Sequence, residues 1–370
     1  MIRVLQIVTH MNRGGLETML MNYYRHIDRN KIQFDFLTHR EYDGDYGKEI
    51  SKLGGKIFHL QILNPFSRKY KNVLRHFFEE HPEYTIIHVH QDCLSSVILK
   101  VAQRCNIKVR IAHSHCANQD KDIKYPIKLY YQRFITKYST ELMACGDDAG
   151  MWMFRGSPFK ILNNAIDAKK YIYSSKERIL QRRKWGVKPD ELLIGHVGRF
   201  SPPKNHLFLV DIFEAIQRKT SAKLILIGDE QGELAVQVKE KVSKLGLWDK
   251  VIFAGLRDDV AELMQAMDVF VFPSNYEGLP VTLIEAQAAG LPCLISDKVP
   301  IECKVTDLIR QLSLSNGAES WAEQAVIDSS IAREDTFEKI SKAGFDIVEN
   351  AKWLQSFYLK INKEKEQCRY

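Results

Sequence analysis

The chain has 370 residues, of which 45% are hydrophobic and 27% are charged, and its formal net charge is +7. This length exceeds what one compact core usually holds, so two domains are expected, and the composition is that of a globular protein. The moderate positive charge suits contact with phosphates or an anionic membrane surface and is no nucleic-acid signature, although an ordinary basic surface explains it equally well.

The sequence carries no signal for membrane insertion or secretion. No apolar run approaches the roughly 20 residues that a membrane-spanning helix needs, and no long apolar segment with a cleavage site stands at the N-terminus. The chain is therefore expected in the cytoplasm, either free or peripheral on the cytoplasmic face of the membrane. Its seven cysteines are odd in number and form no C-x-x-C pair, which indicates neither a disulfide framework nor a zinc cluster.

Short β-branched runs alternate with amphipathic stretches along the chain, and the pattern restarts after Asn163. Such alternation predicts parallel sheets with helices on both faces. We expect an α/β protein with a first domain over 1–168 and a second over 169–346. A C-terminal helix at about 347–361 could pack back on the first domain. Ligands of such sheets bind beyond the carboxyl ends of the strands, so functional residues are expected in the loops that follow strands.

The loop after the first predicted strand ends in Gly14 and Gly15 and leads into a predicted helix. A glycine pair lets the backbone approach a ligand closely at a helix N-terminus, where free N–H groups attract anions. A plain turn explains the two glycines about as well.

Four histidines stand at or near the ends of two predicted strands of the first half: His88, His90, His113 and His115. Two distant His-x-His pairs are not a strong ligand set, so no metal is predicted. The structural alternative, histidines satisfied by hydrogen bonds within the fold, is the stronger one for His88 and His90. It is the weaker one for His113.

A segment over 121–137 mixes lysines with tyrosines on one predicted helix. Such a face can lie on an anionic membrane, and it can equally be an ordinary amphipathic helix with its tyrosines packed inward.

In the second half, Arg199 and Lys204 lie on a loop that follows a predicted strand. A guanidinium that forks two oxygens and an ammonium that acts as a point charge suit a diphosphate. Taken alone, two basic residues on a loop would more often be a surface accident.

The strongest signal follows the predicted strand at 269–272. Glu277 and Gly278 precede a helix in which Pro280 suits the first turn, and Glu285 lies eight positions after Glu277. The helix start can hold an anion, and the two carboxylates can accept hydrogen bonds from sugar hydroxyls. Glu285 could also be a solvated helix residue. Its neighbours are almost all apolar or small, however, and a carboxylate in such a helix is expected to have a partner.

The Glu-x7-Glu pattern within EGLPVTLIEAQAAGLP resembles the donor signature of the retaining GT-B glycosyltransferases of family 4. The resemblance implies two Rossmann-like doubly wound domains facing across a cleft. It implies that Glu277 contacts the hexose and Glu285 the ribose, while backbone groups near Gly278 and Leu279 meet the diphosphate or the sugar. The Arg-x4-Lys pair of the family, which neutralises the leaving nucleoside diphosphate, falls on Arg199 and Lys204.

Further positions match the family less specifically. Arg257 and Val260 lie in a segment that resembles the part of the family that borders the nucleobase, although Arg257 is as compatible with a solvated charge. The family's Gly-Gly-x-Glu, which borders the donor phosphate and the acceptor, places Gly15 at the donor and Gly14 on the acceptor side. A family histidine near the reacting sugar aligns with His113, and His115 is the close alternative.

By resemblance, the chain is a hexosyltransferase that uses a nucleotide-diphosphate sugar, with UDP favoured by family frequency, and passes the sugar to a saccharide or lipid-linked saccharide acceptor in cell-surface polysaccharide synthesis. No metal or other cofactor is expected, and same-face displacement with retention is implied. A sugar-nucleotide epimerase of the same fold and a non-catalytic partner subunit are the alternatives. A nicotinamide dehydrogenase is disfavoured because the loop THMNRGG lacks G-x-G-x-x-G.

Overall fold

The computed structural model describes residues 1–116 and 124–367, with side chains to 364. The chain forms two compact units, Met1–Ala165 together with the C-terminal helix, and Ile166–Asp346. The described strands are β1 Ile2–Val8, β2 Ile32–Thr38, β3 Ile57–His59, β4 Ile86–Val89, β5 Val109–Ser114, β6 Glu141–Ala144, β7 Lys160–Ile161, β8 Leu192–Val197, β9 Ala222–Ile227, β10 Val251–Gly255, β11 Val269–Phe272, β12 Cys293–Ser296 and β13 Ile309–Leu312.

The described α-helices are α1 Gly15–His26, α2 Gly47–Lys52, α3 Arg68–Glu80, α4 Ser95–Arg104, α5 Tyr125–Gln132, α6 Ile135–Tyr138, α7 Asp147–Phe154, α8 Ser175–Lys184, α9 His206–Gln217, α10 Glu233–Lys244, α11 Val260–Ala266, α12 Val281–Ala288, α13 Gly317–Asp328, α14 Phe337–Lys342 and α15 Ile347–Gln367. None of the helices in this described part of the chain is both long enough and apolar enough to cross a bilayer.

The first unit is a parallel seven-stranded sheet in the order β3-β2-β1-β4-β5-β6-β7. Its central strands are buried on both faces, as β1 shows with five consecutive buried residues. Helix α15 covers one face with residues spaced alternately four and three apart, namely Ile347, Ala351, Leu354, Tyr358 and Ile361. The helix therefore belongs to the first unit, and it continues to Gln367, beyond the predicted end near residue 361.

The second unit is a parallel six-stranded sheet in the order β10-β9-β8-β11-β12-β13. The strand order in each unit reverses beside its first strand, between β1 and β4 in one and between β8 and β11 in the other. Doubly wound sheets bind ligands at such switch points. The predicted doubly wound α/β fold is thereby confirmed.

The structure corrects three details of the predicted layout. The units divide between Ala165 and Ile166 and not after residue 168, because Ile166 and Ala168 are buried in the core of the second unit. The helix predicted over 121–137 lies outside the described residues at 121–123, and the rest is two helices, α5 and α6. The break between them lets Ile135 enter the core while Tyr130 stays 54% exposed. Strand β13 was not predicted, because the edge sequence IRQL has two exposed residues and little apolar signal.

Candidate active site

The two loops with the strongest motifs meet at the switch point of the second sheet. Strand β8 pairs directly with β11, so the loops that follow them are neighbours. The backbone N–H of Asn275 donates to the Pro203 carbonyl at 2.7 Å, and the Asn205 amide donates to the Pro273 carbonyl at 3.1 Å. These bonds hold the loop of Arg199 and Lys204 against the loop of Glu277. The structure therefore brings together motifs that are more than seventy positions apart in the chain.

Lys204 and Glu277 form an ion pair at this point. The ammonium Nζ lies 2.7 Å from Glu277 Oε1, and the two side chains are only 19% and 12% exposed. The ammonium also stands over the Phe272 ring, 4.5 Å from its centroid. A pair with so little exposure is less screened by solvent than a surface pair and is held in one geometry. Lys204 and Glu277, which were both predicted to contact the donor, therefore hold each other in position.

Arg199 differs from Lys204 because it is exposed and has no side-chain partner among the described residues. Its loop is nevertheless fixed. Gly228 has a φ of +157°, and a Cβ there would lie 2.2 Å from the Gly198 carbonyl oxygen, so only glycine permits this close approach of the two loops. The guanidinium is free to bind an anion from solution.

Glu285 has a partner that the sequence did not reveal. The Tyr171 hydroxyl donates to Glu285 Oε1 at 2.7 Å, across 114 positions of sequence. Burial raises the pKa of Glu285 to about 7, and the Tyr171 hydrogen bond opposes that rise because it stabilises the carboxylate. Tyr171 ends a short 3-10 turn at Ala168–Tyr171, and no motif marked it. The predicted partner of this carboxylate exists, and it is a side chain of the same unit.

The helix start between the two glutamates is open to solvent. Gly278 is exposed, and a Cβ built on it would meet no atom within 4 Å. Leu279 packs partly on the core and Pro280 is the N-cap of α12, one position before the predicted first turn. The first N–H groups of α12 precede any intrahelical partner and can receive an anion.

Arg257 is engaged within the fold. Its guanidinium donates to both carboxylate oxygens of Asp259 at 2.7 and 2.6 Å, and it lies 5.7 Å from the Trp185 ring centroid. Val260 begins α11 and packs against the core. A contact from Arg257 to a base would therefore come from a side chain already oriented by Asp259 and Trp185.

In the first unit, the two glycines before α1 have different surroundings. A Cβ on Gly14 would lie 2.4 Å from Glu17 Oε2, whereas a Cβ on Gly15 would meet nothing within 4 Å. The buried Glu17 carboxylate lies 3.2 Å from His10 Nδ1 in the first turn of the helix. Gly14 thus makes room for the protein's own carboxylate, and Gly15 faces open space.

The four histidines form one cluster. The ring centroids of His113 and His115 are 4.1 Å apart, and those of His88 and His90 are 4.4 Å apart. His113 lies within β5 and is 2% exposed, while His115 follows the end of β5 and is only part-buried. Of the two predicted alternatives, His115 is therefore the more accessible.

Burial keeps these imidazoles neutral at physiological pH. It lowers the pKa of His88 and His115 to about 3, and it lowers the pKa of His90 and His113 well below the ordinary range. Ring nitrogens of His88, His90 and His113 lie within 4.8 Å of one another. Both nitrogens of His88 and of His90 already have hydrogen-bond partners within the fold.

Comparisons with known proteins identify the family. The family profile described as glycosyl transferases group 1 matches residues 177–343, which include Arg199, Lys204, Glu277 and Glu285. The chain is 36% identical to the putative glycosyltransferase EpsF of Bacillus subtilis, over 99% of this chain and 98% of the relative. It is 24% identical to the capsular polysaccharide biosynthesis glycosyltransferase CapH of Staphylococcus aureus, over 97% and 99% of the two chains.

The fold is that of a solved protein of similar length. The crystal structure of HepE from Anabaena in complex with UDP matches with a TM-score of 0.79 at 17% identity, over 97% of this chain and 100% of that one. This match and the two Rossmann-like sheets place the fold in the GT-B class. With a relative more than 30% identical along nearly its full length, the chain belongs to the glycosyl transferases group 1 family and is a glycosyltransferase.

Proposed function

We propose that this enzyme transfers a hexosyl unit from a UDP-sugar to a saccharide or lipid-linked saccharide acceptor in cell-surface polysaccharide synthesis, with retention of configuration. The observation that carries the proposal is the Lys204–Glu277 ion pair beside the unpartnered Arg199 at the switch point. Cations for a diphosphate and a carboxylate for sugar hydroxyls lie within one pair of loops. The UDP bound to HepE and the capsular role in the name of CapH support the choice of donor and pathway.

In this proposal, Arg199 and Lys204 stabilise the charge that grows on the leaving diphosphate as the glycosidic bond breaks. The N-terminus of α12 adds oriented N–H groups, so that no metal ion is required. Glu277 holds the hexose hydroxyls, with the Lys204 ammonium fixing its position. Lys204 therefore serves the leaving group and the sugar-binding carboxylate together.

Glu285 is the proposed ligand of the ribose hydroxyls, and we propose that its ionised form binds them, because protonation turns one acceptor oxygen into a donor. The pKa of about 7 means that about half of the free enzyme carries a proton there at neutral pH. Donor binding is then coupled to loss of that proton. Backbone groups at Gly278 and Leu279, together with Arg257 and Val260, complete the proposed donor contacts.

In the first unit, Gly15 is proposed to border the donor phosphate and Gly14 to lie on the acceptor side. Of the two candidate histidines, we propose His115 as the one that hydrogen-bonds the reacting sugar, because it is the less buried residue and its Nδ1, itself buried, has no partner among the described residues. His113, which the sequence favoured, would lie deeper in the fold than His115.

The test is transfer and donor binding with Glu285→Ala, Arg199→Ala and Lys204→Ala. We expect each of the two cation variants to lose roughly 10²–10³ in kcat, the usual loss for one such contact. Arg218→Ala, an exposed guanidinium of the same unit with partners of its own, is the matched control. Wild-type rates in all three folded site variants would overturn the proposal. Release of an isomerised nucleotide sugar, without free UDP and a glycoside, would identify an epimerase.

A peripheral membrane contact through the described part of 121–137 is a further part of the proposal. Arg133 and Lys137 are exposed there beside the exposed Tyr130, an arrangement that suits an anionic surface. A lipid-linked acceptor would give such a contact a purpose.

A further inference from the structure

Two hydrogen-bonded chains run from one buried side chain, Gln6, through the histidine cluster. Gln6 lies on β1 and is completely buried. Its carbonyl Oε1 lies 2.9 Å from His90 Nε2, and its amide Nε2 lies 3.4 Å from the Tyr358 hydroxyl. The carbonyl end of the amide thus meets the histidine that follows β4, and the NH2 end meets a tyrosine of α15.

The carbonyl end fixes one pair of histidines. A carbonyl only accepts, so the proton of neutral His90 is on Nε2, and its Nδ1 carries a lone pair. That lone pair lies 2.8 Å from His115 Nε2, which must donate. His115 is neutral as well, so its Nδ1 is left as a buried acceptor that has no partner among the described residues.

The amide end fixes the other pair. Since Gln6 Nε2 donates to the Tyr358 hydroxyl, the tyrosine proton has one described acceptor, His88 Nδ1 at 2.7 Å. His88 then carries its proton on Nε2 and donates to His113 Nδ1 at 3.1 Å. His113 in turn carries its proton on Nε2, a buried N–H without a partner in the described part of the chain.

We propose that Gln6 is a positioning residue whose amide sets the tautomers of all four histidines, so that His115 presents an Nδ1 lone pair and His113 an Nε2–H. The reverse amide orientation would move every proton in both chains and exchange these two roles. The two nitrogens offer one acceptor and one donor on neighbouring rings, the pair that a sugar hydroxyl, which both donates and accepts, can satisfy. This last step rests on the proposed function, and the tautomers do not.

The test is ¹⁵N NMR of the full-length protein labelled in histidine, since two-bond couplings to the ring protons distinguish Nδ1–H from Nε2–H. In the wild type we expect all four cluster histidines as the Nε2–H tautomer. The Nδ1–H form at His90 or His115 would overturn the proposal without any variant.

Two variants separate the chains. Gln6→Met removes both the carbonyl that orients His90 and the N–H that orients Tyr358, so all four histidines are expected to become tautomer mixtures. Tyr358→Phe breaks only the second chain, so mixtures are expected at His88 and His113 while His90 and His115 keep the Nε2–H form. Unchanged signals at His90 and His115 in folded Gln6→Met would contradict the proposal, as would unchanged signals at His88 and His113 in Tyr358→Phe.

Gln33→Met is the matched control, because Gln33 is a buried glutamine of β2 whose amide bonds Tyr24 and not the cluster. It should leave all four tautomers unchanged. A parallel measurement of transfer separates this inference from the proposed function. If the wild-type protein has the predicted tautomers but no transfer activity, the proposed function is rejected and the inference about Gln6 stands. Loss of the tautomers in Gln6→Met with transfer intact would leave Gln6 as the residue that sets them and would reject only their role toward a sugar hydroxyl.

Discussion

The two units have the same sheet design but hold different chemistry at their switch points. In the second unit the loops after β8 and β11 carry full charges, with Lys204 paired to Glu277 and Arg199 left in solvent. In the first unit the ends of β4 and β5 carry neutral imidazoles bonded to one another. The difference follows from burial, since ionised groups are stable near solvent, while histidines whose ring nitrogens are buried or bonded within the fold stay neutral. One unit is therefore suited to bind an anionic donor and the other to orient a neutral hydroxyl.

The largest effect that should separate the two units is their response to acid. The cluster histidines have folded pKa values below their ordinary 6.5, so below that pH the unfolded chain binds more protons than the folded one. Their contribution to stability is complete above about pH 6.5 and is lost as the pH falls. For His88 alone, about 2 kcal/mol should be lost between pH 6.5 and 5, at about 1.4 kcal/mol per pH unit.

In the second unit, the contribution of Glu285 to stability should depend on pH in the opposite direction. Its folded pKa of about 7 lies above its ordinary 4.5, so its contribution is complete below pH 4.5 and is lost as the pH rises through 7. Hydrogen exchange followed by mass spectrometry can read the two units separately. Protection of β4 and β5 should fall between pH 6.5 and 5, less steeply in His88→Gln. His76→Gln, at an exposed histidine of α3, is the control. An equal loss of protection in both units between pH 6.5 and 5 would contradict this difference between them.

A smaller effect should appear in the pH dependence of donor binding. Because only ionised Glu285 is proposed to bind the ribose, the Kd for UDP should rise about tenfold from pH 8 to pH 6. Tyr171→Phe removes the hydrogen bond that opposes protonation, so the midpoint should move to higher pH. Isothermal titration with UDP across this range measures both. Glu285→Gln should bind weakly with a flat profile, and Glu240→Gln, on the exposed face of α10, should match the wild type. A profile in Glu285→Gln that still follows the wild type would refute the assignment.

The smallest expected effect concerns the proposed membrane contact of the first unit. Replacing Arg133 or Lys137 with Gln should weaken binding to vesicles rich in anionic lipid about fivefold each, the equivalent of about 1 kcal/mol per basic residue. Lys342→Gln, an exposed lysine of the second unit, should have no effect. Vesicle sedimentation at low and physiological salt measures the change. Equal binding of all variants, or no binding by the wild type, would exclude the contact.

The sequence indicated which candidate residues lie together more clearly in the second unit than in the first. Arg199, Lys204, Glu277 and Glu285 lie within short segments that follow strands, so strand order alone brings them to one edge of the sheet. Lys204 and Glu277 were predicted as separate ligands, and their mutual pairing depends on how the two loops pack. In the first unit the four histidines were visible, and the sequence favoured His113 with His115 as the close alternative. Their exposure differs only because β5 ends at Ser114.

By itself, the sequence determined the alternation of strands and helices, the two doubly wound sheets and the residues at the strand ends, because each is encoded within a few neighbouring positions. The partners of those residues were decided by the tertiary structure. Tyr171 reaches Glu285 across 114 positions, and Tyr358 reaches His88 across 270, on a helix whose apolar spacing indicated burial but not the face it would cover. Hydrogen bonds between distant elements depend on how those elements pack, and local sequence patterns do not encode that packing.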